Sequence, residues 1–306
     1  MKKNITIATH NGVFHADDVA AVTVLRCMNS IVWGGSVQVR RTRDRAVIEA
    51  ADFVVDVGAE YSPLAGRYDH HQTGGAGIER ANGIPYSSFG LVWAEFGKVI
   101  CGRQDVADEI ERLLVMPIDA ADCGMRLYEG GVAFAPGVSS YSLSQVISSF
   151  NPVDGESTFD EAFDEACLFF RSFLMRSIGA STARIDRQAA VMKAAERATD
   201  PRIIELADGA PGWKDVVCQF RHALYVVFPA ETGDEWMVQC VPPTADSFDK
   251  RKALPELWAG LRDTEFAQLT DVADAVFCHN GRFIAGARSK EGALRLAQMA
   301  VGAGQL

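Results

Sequence analysis

Six histidines occur in this chain of 306 residues, and four of them, His10, His15, His70 and His71, precede residue 72. Aspartates accompany them: Asp17 and Asp18 in "HNGVFHADD", Asp56 at the end of "FVVDVG", and Asp69 in "RYDHHQTGG". Imidazoles and carboxylates without thiolates make a donor set for Mn, Fe, Co or Zn, and for Mg where carboxylates dominate. Gathered in one cleft, the carboxylates repel one another and take up protons unless cations offset their charge. Two divalent ions about 3.5–4 Å apart, bridged by a central carboxylate, activate water and stabilise the attacking and leaving oxygens of a phosphoryl displacement. Asp56 is the candidate for the centre, because it interrupts an otherwise apolar strand. Asp18 fits a helix cap as well as a ligand.

For residues so far apart to meet, strand ends must bring them together. "NITIAT" (4–9) alternates as a strand, and "VAAVTVLRCM" follows with helical spacing. "SVQVRRT" (36–42) and "DFVVDVG" (52–58) read as further strands. "PYSSFGLVWAEFG" (85–97) predicts a helix with Pro85 in its first turn and Gly97 at its end. "RQDVADEIERLLVMPIDAAD" (103–122) predicts another, with Val106, Ile110, Leu113 and Leu114 on one apolar stripe. Strands alternating with helices predict a parallel α/β sheet, whose ligands bind at the carboxyl ends of the strands. All four early histidines fall in loops after predicted strands.

Between 128 and 156 the pattern weakens into Gly, Ser and Pro, with a short helix at 143–149. We place the domain boundary there: residues 1–150 form the α/β domain and residues 151–306 a smaller α+β domain. The second domain opens with about forty residues of good helix formers, in which Gly179 marks a kink or a break. "ALYVVFPA" and "EWMVQCVPP" then flank a hairpin turn. "AVFCH" and "RFIAGARS" flank Asn280-Gly281, which reads as a two-residue hairpin loop. "KEGALRLAQMAV" closes as a helix.

The bulk numbers narrow the function classes. Apolar residues make up 48% of the chain, which excludes a disordered composition. No apolar run is long enough to cross a bilayer, and no signal-peptide pattern follows the N-terminal lysines, so the expectation is a cytoplasmic protein. Seven scattered cysteines without a C-x-x-C pair argue against disulfides and against a thiolate zinc site. A formal charge of −10 argues against a binder of long duplex nucleic acid. The basic run "VRRTRDR" (39–45) suits a short or small anionic substrate.

"HNGVFHADD", "VVDVG", "YDHHQ" and "IDAAD", in that order, resemble motifs one to four of the DHH phosphoesterase superfamily. The finer resemblance is to its melanocyte-proliferating-gene-one family of metal-dependent hydrolases or exonucleases, which "FCHNGRFIAGARSKEGALRLA" also matches. The resemblance implies a DHH-type catalytic domain and two divalent cations, with Mn2+ the first choice and Mg2+ or Zn2+ the alternatives. It implies metal ligands at His10, His15, Asp17, Asp56 (bridging), His70 and Asp119, with Asp122 the rival of Asp119. His15 departs from the pattern: most relatives have an aspartate there, one residue closer to the first histidine. The resemblance further assigns His71 to the substrate phosphate, with Asp69 supporting both His70 and His71 by hydrogen bonding. In the C-terminal domain it points to phosphate-binding groups at His279, Asn280, Arg282, Arg288, Ser289 and Lys290. Arg43 joins them from the basic run.

The expected function is a two-metal phosphoesterase acting on phosphodiester bonds of short RNA or DNA, as a 3'-5' exonuclease does, or on small phosphate compounds. The competing classes are a metal-dependent amide or peptide hydrolase and a non-enzymatic metal-binding module. No H-E-x-x-H motif supports the first, and structural zinc sites usually contain Cys. The long helix is a candidate homodimer surface and equally a candidate for an intramolecular core.

Overall fold

A computed structural model describes residues 3–127, 140–153, 155, 157–209, 212–231 and 233–304. Contacts divide the chain into two compact units, Met1–Thr182 and Ala183–Leu306. Most of the weak segment in which the sequence places its boundary, 128–139, lies outside the described residues. None of the described helices is long and apolar enough to cross a membrane.

The first unit is an α/β fold. Its strands are β1 (Lys3–Thr9), β2 (Gly34–Arg41), β3 (Phe53–Val55), β4 (Tyr61–Ser62) and β5 (Arg67–Tyr68). They lie in the order β2-β1-β3-β5-β4, and only the edge strand β4 is antiparallel to its neighbour. Helix α1 (Ala16–Met28) is buried at every position but Arg26, as expected of a helix that is apolar all round. It packs with α3 (Ser88–Cys101) over one face of the sheet. The other face carries the short α2 (Arg45–Ala50), over a small cluster of Ala8, Ala51 and Val54 with Ile48 and Val57.

Two boundaries of α3 differ from expectation. Pro85 stands before the helix, which starts after Ser87, and Gly97 lies inside it. Gly97 is there for packing: a Cβ at that position would come within 2.6 Å of the Trp93 indole. The helix ends instead at Gly102, whose φ of 75° few other residues adopt. The 103–122 segment is helical throughout but not uniform. A π segment at Glu111–Val115 separates α4 (Gln104–Ile110) from α5 (Met116–Asp122). Val106, Ile110 and Leu114 are buried, but Leu113 is 51% exposed, because the wider turn shifts the face presented to the core. After α6 (Leu143–Ser148), α7 runs unbroken from Phe159 to Arg197. Gly179 does not interrupt it; the glycine lies on an open face of the helix with nothing near it.

The second unit is α+β. Strands β6 (Ile203–Glu205), β7 (Tyr225–Pro229), β8 (Trp236–Cys240), β9 (Ala275–Cys278) and β10 (Ile284–Ala287) lie in the order β6-β7-β8-β10-β9. Only β6 and β7 are parallel. Helix α10 (Lys290–Gly302) buries Leu296, Ala297 and Ala300 against Tyr225, Val227 and Val238 on one face. Helix α8 (Trp213–Val217) packs Trp213 and Val217 with Ile204 and Val226 in a second cluster. Helix α9 (Asp263–Thr270) completes the first of these cores through Phe266. Asn280 and Gly281 are central in the last hairpin, but the two-residue form is not adopted. Arg282 takes the left-handed φ of 55° and donates its N–H to the His279 carbonyl, a turn followed by a left-handed residue.

Candidate metal centre

The centre is built at the carboxyl ends of β1, β3 and β5, where the chain leaves the sheet. β1 ends at Thr9 and delivers His10, whose Nδ1 faces the Asn11 carbonyl at 3.3 Å and leaves Nε2 toward the cluster. Such an outward hydrogen bond is how proteins fix the tautomer of a ligating histidine. β3 ends at Val55, and the next residue, Asp56, turns to φ 57°. A non-glycine residue in this region is uncommon and concentrates at functional sites. β5 ends at Tyr68 and delivers Asp69, His70 and His71.

Asp56 stands in the middle. Its Oδ2 lies 3.3 Å from His10 Nε2. Its Oδ1 lies 3.3 Å from His70 Nε2, 3.4 Å from His71 Nδ1 and 3.3 Å from Ser88 Oγ, which donates to it. The imidazoles outweigh the effect of burial and hold the Asp56 carboxyl well below its ordinary range. Burial works against charge on His10 and His70, yet their aspartate neighbours raise them from 6.5 to about 10 and about 12.

The first turn of α1 supplies two more carboxylates. Asp18 does double duty: Oδ1 accepts the His15 N–H at 2.9 Å, a capping-box bond, while Oδ2 lies 3.2 Å from His10 Nε2. Asp17 is fully buried, and neither of its oxygens has a hydrogen-bond partner. Burial and the neighbouring Asp56, Asp122 and Asp18 push its carboxyl well above the ordinary range. His70 Nε2 has Asp56, Asp122 and Asp17 within 3.2–3.8 Å but no contact of hydrogen-bond geometry.

A cluster of this kind fits divalent cations. Buried carboxylate oxygens without partners are costly, and the donors converge. Four groups offer ligand atoms within 4.8 Å of one another: His10, His15 and Asp56; Asp56, His70 and His71; His70, Asp122 and Cys123; and His15, Asp17 and Asp122. Asp56 belongs to the first two groups, the position a bridging carboxylate takes. His15 is exposed, with its ring 5.9 Å from that of His10.

Asp119 and Asp122 part company. Asp122 Oδ2 is 3.2 Å from His70 Nε2. Asp119 is not brought to the cluster. Its Oδ1 accepts from Ser87 Oγ at 2.6 Å and the Gly90 N–H at 3.0 Å, and its Oδ2 from Arg80 Nη2 at 2.7 Å. Arg80 is itself buried, donating also to Glu111 and the Pro85 carbonyl, with its guanidinium 3.7 Å from the Tyr86 ring centroid. Asp119 thus ties α3 and the loop before it to α5.

Asp69 supports His71 and not His70. Its Oδ1 accepts from His71 Nδ1 at 2.8 Å and from the His71 N–H, and its Oδ2 accepts from the Ala59 N–H. The His71 side chain is 60% exposed. Residues that sequence reasoning missed sit close by. Ser88 reaches Asp56, and Cys123 Sγ lies 3.8 Å from His70 Nδ1 and 3.7 Å from the Tyr86 carbonyl. A search for paired cysteines passes over Cys123, although it directly follows the fourth motif. Arg43 Nη1 donates to the Asn11 carbonyl at 2.7 Å and its side-chain oxygen at 2.8 Å, one residue from His10.

The second-unit candidates have structural partners of their own. Ser289 caps α10 through the Gly292 N–H, and Lys290 is paired with Glu205 and lies 5.8 Å from the Trp236 ring. His279 accepts the Gly281 N–H and leans on Phe283. Asn280 and Arg282 lie in the β9–β10 turn. Arg288 lines an acidic groove with Asp263, Asp271 and Asp274.

The chain matches the family described as uncharacterised protein family UPF0160, MYG1_exonuc, over residues 6–301. It is 33% identical to the MYG1 exonuclease of Homo sapiens, over 95% of this chain and 84% of that protein. It is 31% identical to a MYG1 protein of Caenorhabditis elegans, over 98% and 96% of the two chains. A MYG1 protein of Saccharomyces cerevisiae gives the same three figures. Similarity that runs through both units shows that the chain belongs to the MYG1 family.

Proposed function

We propose that this protein is a divalent-cation-dependent phosphoesterase that removes nucleotides from an end of short nucleic acid. The observation that carries the reading is Asp56: one carboxylate with an imidazole against each oxygen, beside an Asp17 whose two buried oxygens have no hydrogen-bond partner among the described residues. The exonuclease name of the human and mouse relatives agrees with it.

One cation would be held by His10, His15 and Asp56, the other by Asp56, His70, Asp17 and Asp122. Asp122, and not Asp119, takes the fourth-motif place. Cations bound there supply Lewis acidity, easing deprotonation of water and offsetting the charge that develops on phosphoryl oxygens. The chain's own groups do the rest. Asp69 accepts from His71 Nδ1 and so orients the ring; the other nitrogen, Nε2, would donate to a phosphoryl or leaving-group oxygen in the imidazolium form. The Asn11 carbonyl faces the outer nitrogen of His10, and Cys123 faces that of His70. Preset ligand positions lower the reorganisation needed when charge builds.

The test is a panel assay. The purified protein, with Mn2+, Mg2+, Zn2+ or EDTA, is offered a generic phosphodiester, a short RNA, pyrophosphate and a peptide. Cation-dependent cleavage of the phosphodiester and the RNA is expected. Cleavage of the peptide alone, or no turnover with any cation, overturns the reading.

A further inference from the structure

On the sheet face that α2 covers, Ile48, Val54 and Val57 line a cavity of about 610 Å3. That size lies within the ~300–1,000 Å3 of small-molecule sites. Two of its lining residues are linked to neighbours of the metal centre. Val57 follows Asp56 in the chain, and Arg43 is tied to Asn11, the residue after His10.

Its charges are mixed, three arginines and two glutamates, and that decides what fits. Arg43, Arg45 and Arg67 face it, but so do Glu49 and Glu60. Arg45 Nε is paired with Glu49 at 2.7 Å, and Arg67 donates to the Ala51, Asp52 and Glu49 carbonyls. A phosphate placed here would meet two carboxylates. A neutral flat ring meets an apolar floor, guanidinium planes already held through part of their N–H edge, and carboxylates that accept from ring or exocyclic N–H groups. Guanidinium planes stack on unpaired bases, and carboxylates accept from exocyclic amines.

We infer that this cavity receives the base of the nucleotide whose phosphodiester lies at the metal centre, favouring bases with an exocyclic amine over uracil. The inference rests on the phosphoesterase reading for the identity of the substrate. It makes the protein a reader of nucleotides and not of phosphate esters at large.

Equilibrium binding tests it directly. Adenosine 5'-monophosphate and ribose 5-phosphate are titrated into the full-length wild type and into Ile48→Trp, which fills the floor. The wild type should bind the nucleotide at least about tenfold more tightly than the sugar phosphate, a difference of ~1.4 kcal/mol. Ile48→Trp should remove that preference while leaving ribose 5-phosphate binding as it was. A short RNA with an abasic terminal residue should show a raised KM on the wild type and little change in kcat. Equal binding of the two ligands by the wild type overturns the inference without any variant having to fold. If RNA is cleaved but the base makes no difference, the cavity assignment falls and the phosphoesterase reading stands. If no phosphodiester is cleaved but adenosine 5'-monophosphate binds in an Ile48-dependent way, the reaction class falls and the cavity assignment stands.

Discussion

Asp56 carries its carboxylate on a backbone with φ 57°, a region that asparagine also tolerates. Asp56→Asn should therefore keep the turn while weakening the ligand common to both cation sites. Bound metal, measured by elemental analysis, should fall, and phosphodiester turnover should drop by more than about a hundredfold, since each Lewis-acid contact contributes several kcal/mol. Full activity in that variant would remove the bridging assignment. The titrations of the cluster give a second prediction at this scale. His10 and His70 are raised in the folded chain, from 6.5 to about 10 and about 12. Groups raised in this way stabilise fully below the unfolded value and lose that contribution as pH climbs toward the folded one. Asp17 and Asp18 are also raised, so their ionisation weighs in the same direction. The cation-free protein should therefore melt at progressively lower temperature between pH 6.5 and 10. Adding Mn2+ should flatten the slope, because the carboxylates then have a counter-charge that does not titrate. A melting temperature indifferent to pH in EDTA would contradict this account.

At the level of elements, two of the strand ends were readable and the helix was not. His10 and Asp56 follow apolar strands legible in the sequence, and strand ends in a parallel sheet share an edge, whereas His70 follows β5, two residues (Arg67–Tyr68) without a strand pattern. Asp119 and Asp122 lie three residues apart on α5, and choosing between them needs the rotation of that helix. The π segment at Glu111–Val115 changes the rotation, and hydrophobic spacing carries no sign of it beyond the misplaced Leu113. Cys123 escaped because a lone thiol has no spacing to recognise. The same geometry separates the two aspartates experimentally. Asp122→Ala should lower cation affinity and lessen the pH dependence of the cation-free melting temperature, since Asp122 is one of the groups that raise His70. Asp119→Ala removes one of the two carboxylates on the buried Arg80, with Glu111 remaining, so it should cost less than the about 3–5 kcal/mol of a fully broken buried pair, to be read by chemical denaturation. Gly90→Ala should behave like a milder form of the second. Its Cβ would fall on Asp119 Oδ2 and within 2.7 Å of Arg80 Nη2. Overpacking of this sort costs about 1–3 kcal/mol, a loss of roughly 3–10 °C in calorimetry for a unit of this size.

Taken whole, the molecule is acidic, with a formal charge of −10, and glutamates stand among the arginines of the cavity beside α2. Sequence-independent binding to duplex DNA draws on many uncompensated cations releasing counterions, and this surface supplies few. A hundredfold excess of long duplex DNA should leave the rate on a short RNA unchanged; strong competition would show that the net charge misleads. Contacts divide the chain inside α7, where good helix formers run without punctuation. That division has a practical meaning. Residues 159–197 form one uninterrupted helix across Thr182 and Ala183, so a protease that requires extended chain finds no foothold between the halves. Limited digestion should nick the molecule elsewhere first, and a fragment stopped at residue 182 would be born with a severed, fraying rod at its end.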